Sequence, residues 1–274
     1  MFRITGTALG WFTSYLTRRT QRVVIGGEQS DVVTLRYGVP QGSVLGPLLY
    51  CMYTTPLSRE VQQQDIEHLV YADDSQLYNM FRAVPEEIER SVSSMSNCLD
   101  LVRRWMSENM LKLNDEKTEV ITFSSRFKPC EGVTIRMGDV SIPSTPSVRD
   151  LGVLLDQHMT REDHVRQVCK SAMFHLCSIA NIRRFLTTDA AKSLMHSLVT
   201  SRLDYCNSVL VGLPKALLQK MQRVQNTAAR VVTRTHKYDH ITPVLKVLHW
   251  LPINRRVEYK ILLYTYKIQE INII

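Results

Sequence analysis

The hydrophobic patterning predicts an α+β domain followed by a mostly helical one. Three observations carry that reading. Up to residue 156, amphipathic helical stretches alternate with short β-rich runs; from Thr160 onward nearly every window has a helical period; and the charge reverses at the same place. Residues 1–156 hold 16 Lys/Arg against 19 Asp/Glu, a net of −3, whereas residues 157–274 hold 18 against 7, a net of +11. The chain therefore reads as two domains, 1–156 and 157–274. An acidic half beside a basic half points to cation chemistry in the first and a polyanion contact in the second.

In the first domain, residues 7–17 place Leu9, Phe12 and Leu16 on one helical face. Residues 20–38 read as a hairpin turning at Gly26-Gly27. Gly38 to Tyr50 begins with a Gly/Pro-rich loop, Gly38-Val39-Pro40-Gln41-Gly42-Ser43, with Ser43 a reasonable N-cap. A helix follows, burying Leu45, Leu48, Leu49 and Met52 and expected to stop at Pro56. Within the loop, Gly42 lets backbone approach a ligand and Gln41 can read a hydrogen-bonding edge. From Pro85, the apolar residues Ile88, Val92, Met95, Leu99, Val102 and Met106 recur at steps of four and three, the mark of a core-facing helix. Thr118–Phe123 alternates as a strand, and short strands are expected at Val133–Met137 and Val148–Leu155. Helices packed on one antiparallel sheet result.

The second domain predicts helices at Asp163–Phe185, Thr188–Tyr205, Lys215–Arg234 and Arg255–Glu270. On the third of these, Leu217, Leu218, Met221, Val224, Ala228, Val231 and Val232 share one side. Lys220, Arg223, Arg230 and Arg234 gather on the other, with no acid anywhere in 215–234. Such a ridge fits a phosphate backbone; a plain solvated face is the alternative, and the clustering and absence of acids favour the contact.

Composition narrows the field. The six cysteines and eight histidines never fall at zinc-ligand spacing, which excludes a zinc module and a disulfide framework and implies an intracellular protein with reduced thiols. No apolar run approaches the roughly 20 residues that span a bilayer, and the N-terminus lacks a secretory apolar region.

One stretch carries chemistry. In Ile66–Tyr78 a β-rich run is broken by Tyr71-Ala72-Asp73-Asp74 and then resumes. Asp favours turns over strands, so a tight hairpin with Asp73 and Asp74 at its tip is expected. Adjacent carboxylates repel, and hard oxygen donors suit Mg²⁺, with Mn²⁺ sharing the preference. A solvated Asp-Asp turn is the plain alternative.

Pro40-Gln41-Gly42-Ser43-Val44-Leu45-Gly46-Pro47 followed about thirty residues later by Tyr71-Ala72-Asp73-Asp74 resembles the reverse transcriptases of LINE-like non-LTR retrotransposons. Trp105, Leu113-Asn114 and Lys117-Thr118-Glu119 are similar to that family's next motif, and Leu151-Gly152-Val153 to its primer-grip region. Ser201–Asn207, Gln225–Arg230 and His249–Pro252 resemble the downstream thumb region. The resemblance implies a right-hand palm followed by a helical thumb, an RNA template, a DNA primer, a dNTP and two Mg²⁺ ions. It implies that Asp73 and Asp74 are metal ligands, that Gln41, Gly42 and Ser43 line the nucleotide and template pocket, that Tyr71 supports the primer end, and that Lys117 approaches the leaving pyrophosphate as a proton donor.

The same resemblance calls for a further aspartate on an earlier strand. The acids before the Ile66–Tyr78 stretch are Glu28, Asp31, Glu60 and Asp65, none in that context. The expectation is an incomplete metal site in a truncated piece of a longer reading frame, inactive as a polymerase in isolation. From another class, the alternative is a non-catalytic nucleic-acid-binding relic working through the basic half. A metal-dependent nuclease lacks any accompanying His or Glu cluster.

Overall fold

A computed structural model describes residues 3–39, 42–130 and 132–271. Helices and small antiparallel sheets form two compact units: one takes the chain up to Arg82 together with Glu89–Leu113, the other Ala83–Ile88 and the chain from Asn114 onward. The charge reversal at 156/157 falls inside the second.

In the first unit, helix α1 (Gly6–Leu16) is followed by strands β1 (Arg19–Gln21), β2 (Val24–Ile25), β3 (Glu28–Gln29) and β4 (Val33–Leu35). These nest as the predicted hairpin: β2 pairs with β3 around Gly26-Gly27, both at positive φ, and β1 pairs with β4 outside them. Helix α2 (Gly46–Gln62) departs from expectation at both ends. Its N-cap is Leu45 instead of Ser43, with Pro47 in the first turn, where its missing N–H costs nothing. It also runs through Pro56. One backbone hydrogen bond is lost there, but burial of Leu57 and Val61 beyond the proline holds the last turns. Strands β5 (Glu67–Tyr71) and β6 (Asp74–Tyr78) form a hairpin, and α3 (Pro85–Glu108) follows. Leu57, Val61, Ile66, Cys98, Val102 and Met106 form this unit's core, with Leu77, Met95 and Trp105 packed against it.

The second unit opens with a 3-10 turn at Asp115–Lys117. The alternation over Thr118–Phe123 does not produce a strand. Val120 makes a single bridge to Ser144, supported by Thr145 N–H donating to Val120 C=O and Thr122 N–H to Ser144 Oγ. The opposing segment holds Pro143 and Pro146, which have no N–H with which to extend a ladder. Strands β7 (Thr134–Met137) and β8 (Val140–Pro143) pair, as do β9 (Ser147–Asp150) and β10 (Val153–Asp156). The expected strand at Val148–Leu155 is thus a hairpin, turning at Leu151 (φ 42) and Gly152 (φ 84). Two successive positive φ values give the tight turn that matches strand twist. The single sheet expected from the patterning is replaced, among the described residues, by five two-stranded ladders.

The helices follow: α4 (Glu162–Ile182), α5 (Thr188–Met195), α6 (Ser201–Asp204), α7 (Lys215–Thr233), α8 (Ile241–Val247) and α9 (Ile253–Ile271). A wide π-helical turn at His196–Thr200 links α5 to α6, so the predicted Thr188–Tyr205 helix is one continuous helical run. The short α8 escaped prediction, Pro243 sitting in its first turn. Helix α7 buries Leu217, Met221, Val224, Ala228 and Val232, the predicted apolar side. It also buries Gln225 completely: Nε2 donates to Leu251 C=O at 2.8 Å, and Oε1 accepts from Gln222 Nε2 at 2.8 Å. Gln222 Oε1 accepts from Ile253 N–H at 2.8 Å. Two glutamines one helical turn apart therefore hold Leu251 and Ile253, and between His249 and Pro252 Trp250 is buried edge-on to His196.

Candidate functional site: a carboxylate hairpin and a basic helical face

The β5–β6 register runs Glu67↔Tyr78 through Tyr71↔Asp74, leaving Ala72 and Asp73 as a two-residue turn. Ala72 takes up the left-handed conformation (φ 54) that so short a turn requires. Asp73 therefore stands in the turn and Asp74 opens β6, with both side chains exposed. Ile66 and Leu77 pin the base of the hairpin to the core, so the tip projects. Tyr71 is 65% exposed, which removes core packing as its explanation.

Beside the tip stands Tyr50 of α2. Burial first, then the negative charge of Asp73, then Cys51, push its phenol above its ordinary range. The first turns of α2 and the carboxylate hairpin are thus neighbours, which the sequence order alone did not show. In that loop Gly42 adopts φ +80, with open space where a Cβ would stand. Ser43 Oγ is buried without a hydrogen-bond partner. An unsatisfied buried hydroxyl is the kind of group that awaits a ligand. Gln41 and Pro40 lie outside the described residues.

The donor chemistry at the tip suits a hard divalent cation, but the number of donors does not close a site. Among the described residues, no three His, Cys, Asp or Glu side chains are grouped to hold a metal. Asp73 and Asp74 are, among the described residues, a pair without a third member.

The other predicted residues belong to the second unit. Lys117 is exposed at the end of its 3-10 turn. Along α7, Lys220 and Arg223 are exposed. Arg230 is half-buried, with Nε donating to His236 C=O (3.3 Å) and Nη2 to Asp239 C=O (3.2 Å). Arg234 caps the helix at φ 58 and donates to Arg183 C=O at 3.3 Å. The ridge is thus part open surface and part C-terminal capping.

Two features were not singled out in the sequence. Tyr205, at the end of α6, donates its hydroxyl to Leu151 C=O at 2.6 Å, and its ring lies 3.2 Å from where a Cβ on Gly152 would stand. The Ser201–Asn207 motif therefore clasps the Leu151-Gly152 turn. Arg183 is buried with its guanidinium donating to Leu186, Val231 and Val232 carbonyls, without a carboxylate. Neither is visible as a pattern, because each joins segments about 50 residues apart.

Residues 1–155 match the family described as reverse transcriptase (RNA-dependent DNA polymerase). The chain is 27% identical over 229 residues to the "RNA-directed DNA polymerase from mobile element jockey" of Drosophila melanogaster, covering 80% of this chain and 24% of that protein. It is 26% identical over 232 residues to the "Probable RNA-directed DNA polymerase from transposon BS" of the same species (82% and 25%). It is 24% identical over 228 residues to the "Retrovirus-related Pol polyprotein from type-1 retrotransposable element R1" of Nasonia vitripennis (78% and 65%). The chain thus spans about a quarter of the length of the jockey and BS proteins it matches. No solved structure shows significant similarity, and among the described residues no helix is long and apolar enough to cross a membrane. With more than half its length matching, and with the carboxylate hairpin formed where the motif demands, the chain belongs to the reverse transcriptase family, among relatives from non-LTR mobile elements.

Proposed function

We propose that this chain is the palm segment, with adjoining thumb, of an RNA-directed DNA polymerase that takes an RNA template, a DNA primer and dNTPs. The observation that supports this most is the two-residue turn presenting Asp73 and Asp74 beside Tyr50. In this reading Asp73 and Asp74 are two of the carboxylates that hold Mg²⁺, or Mn²⁺, which when bound would favour deprotonation of the primer hydroxyl and offset charge on the leaving pyrophosphate. Ser43 Oγ and the Gly42 backbone face the nucleotide and template with Gln41; Tyr71 supports the primer end; Lys117 donates toward pyrophosphate; and residues 157–274 grip nucleic acid through Lys220, Arg223 and the donors that Arg234 keeps beyond its one carbonyl bond, with Arg230 contributing less because its guanidinium already serves two carbonyls.

Because no third metal-binding side chain joins the pair among the described residues, the 274-residue chain alone is expected to show little or no polymerase activity. Primer extension on an RNA template with Mg²⁺ tests this, and robust synthesis abolished by Asp73→Asn would overturn the incomplete-site reading. Mn²⁺ binding followed by electron paramagnetic resonance tests the metal role directly. Weak binding lost in Asp73→Asn is expected, and binding indifferent to that substitution sinks it. A relic that only binds nucleic acid is the second reading, favoured by the same missing ligand.

A further inference from the structure

At the corner where α4 ends, the chain reads Ile182-Arg183-Arg184-Phe185 and forms a 3-10 turn at its last three residues. The turn is unusual in what it leaves outside. Phe185 is 74% exposed and Ile182 45% exposed, although the unit has an extensive core in which to bury them. Arg184 is exposed and lies over one face of the Phe185 ring, its Cζ 4.6 Å from the centroid. The other face of the ring is left to solvent.

Positive charge accumulates here without compensation. Arg183 is buried beneath the turn and satisfied only by carbonyls and a threonine hydroxyl. Arg234, from the end of α7, brings its guanidinium to the Arg183 carbonyl, one residue from Arg184. Burial, and then the Arg234 charge, lower the proton affinity of Arg183, so the like charges feel one another. No acid occurs between Asp163 and Asp189, nor within 215–234. The nearest acids in sequence are Asp189, 3.7 Å from Lys192, and Asp239, whose carboxylate accepts from His236 N–H. Among the described residues neither Arg184 nor Arg234 makes an ion pair.

We propose that Arg184, Phe185 and Arg234 form a binding platform for single-stranded nucleic acid, with a base stacked on the open face of Phe185 and the flanking phosphates held by the two guanidiniums. Single strands are specified because only an unpaired base offers its π-face to an aromatic side chain. The Arg184–Phe185 pair is pre-assembled, so stacking continues an existing cation–π layer instead of ordering a new one. The proposal takes its partner class from the polymerase reading but uses none of the residues at the carboxylate hairpin.

The test is fluorescence anisotropy of the full chain with labelled 12-mers of dT and of rU, an abasic 12-mer of the same charge, and a 12-base-pair duplex. Phe185→Ala is expected to weaken dT and rU binding about tenfold while leaving the abasic oligomer unchanged. Phe185→Trp restores it. Arg184→Gln and Arg234→Gln should each make the dependence of log affinity on log salt shallower by about 0.7 on single strands. Equal binding of abasic and base-carrying 12-mers overturns the proposal. So does a Phe185→Ala/Arg184→Gln double variant with unchanged affinity and slope, or binding to phosphatidylserine vesicles stronger than to either 12-mer. Asp73→Asn leaves these titrations unchanged, so failure of the platform and failure of the metal-site reading are separate results.

Discussion

Gln225 offers the sharpest check on the packing of the basic unit. Its side chain is 0% exposed and makes two hydrogen bonds, one to Leu251 C=O that ties α7 to the His249–Pro252 segment and one from Gln222 within α7. Gln225→Ala removes both, at about 1 kcal/mol each. It also opens a void of roughly 55 Å³, worth about 1.3 kcal/mol at ~24 cal/mol per Å³. The expected loss is therefore about 3 kcal/mol. Gln225→Met keeps the volume and loses only the hydrogen bonds, so about 2 kcal/mol is expected. Urea titration followed by Trp250 emission, in a background with Trp11→Phe and Trp105→Phe, reads the transition of the unit that contains Trp250. The alanine variant within about 0.5 kcal/mol of its parent would refute the reasoning, since that is the scatter of an inconsequential surface change. A methionine variant as stable as the parent would show instead that only volume matters there.

Two further predictions concern the β9–β10 hairpin. His164 is buried on α4 with Nδ1 accepting from Leu154 N–H at 3.3 Å; burial, then the Arg149 charge, hold its pKa below the ordinary value of 6.5. A depressed imidazole pKa means the unfolded chain takes up the proton first, so stability is full above 6.5 and falls as pH drops below it, by at most about 1.4 kcal/mol per pH unit. Urea midpoints at pH 7.5 and 5.5 should diverge more for wild type than for His164→Asn, which keeps an acceptor but does not titrate; parallel curves refute it. Gly152→Ala meets both a positive φ and the Tyr205 ring, so a loss of about 2 kcal/mol is expected. A double-mutant cycle with Tyr205→Ala should recover part of that loss, and strict additivity would show that the clasp is not felt.

What was legible in the sequence was local. The Asp73-Asp74 hairpin follows from turn residues between β-rich runs, and the long helices α3, α4 and α7 from periodicity sustained over several turns. The Thr118–Phe123 alternation failed because a strand needs a partner able to donate, and its neighbour carries Pro143 and Pro146. The Leu151-Gly152 turn was hidden because one glycine among β-formers reads as a strand interior. Leu45 displaced Ser43 as N-cap, and Pro56 failed to stop α2 because burial of Leu57 and Val61 outweighed the local preference. Tyr50 beside Asp73 at the candidate site and, separately, the Tyr205 clasp on Leu151 are joined only by the fold.

Charge alone does not distinguish a working ionic group from a structural one; the occupancy of its hydrogen-bonding capacity does. Asp156 accepts from the backbone N–H groups of His158, Thr160 and Arg161 and from the Thr160 hydroxyl. Burial acts to raise its pKa, but these donors outweigh it and the net shift is downward. Its oxygens are used up in joining β10 to α4. Asp73 and Asp74 are the same chemical group in the opposite state: among the described residues nothing donates to either carboxylate. Their mutual repulsion in water, roughly 0.8 kcal/mol at about 5 Å, is small against a five-pair ladder anchored by Ile66 and Leu77, so the hairpin stands without a counter-ion. The contrast repeats among the arginines. Arg183 is saturated by carbonyls, whereas its neighbour Arg184 is held only by an aromatic face. In both units the residues left with open valences are those set on a rigid turn at the surface, where a partner can complete them.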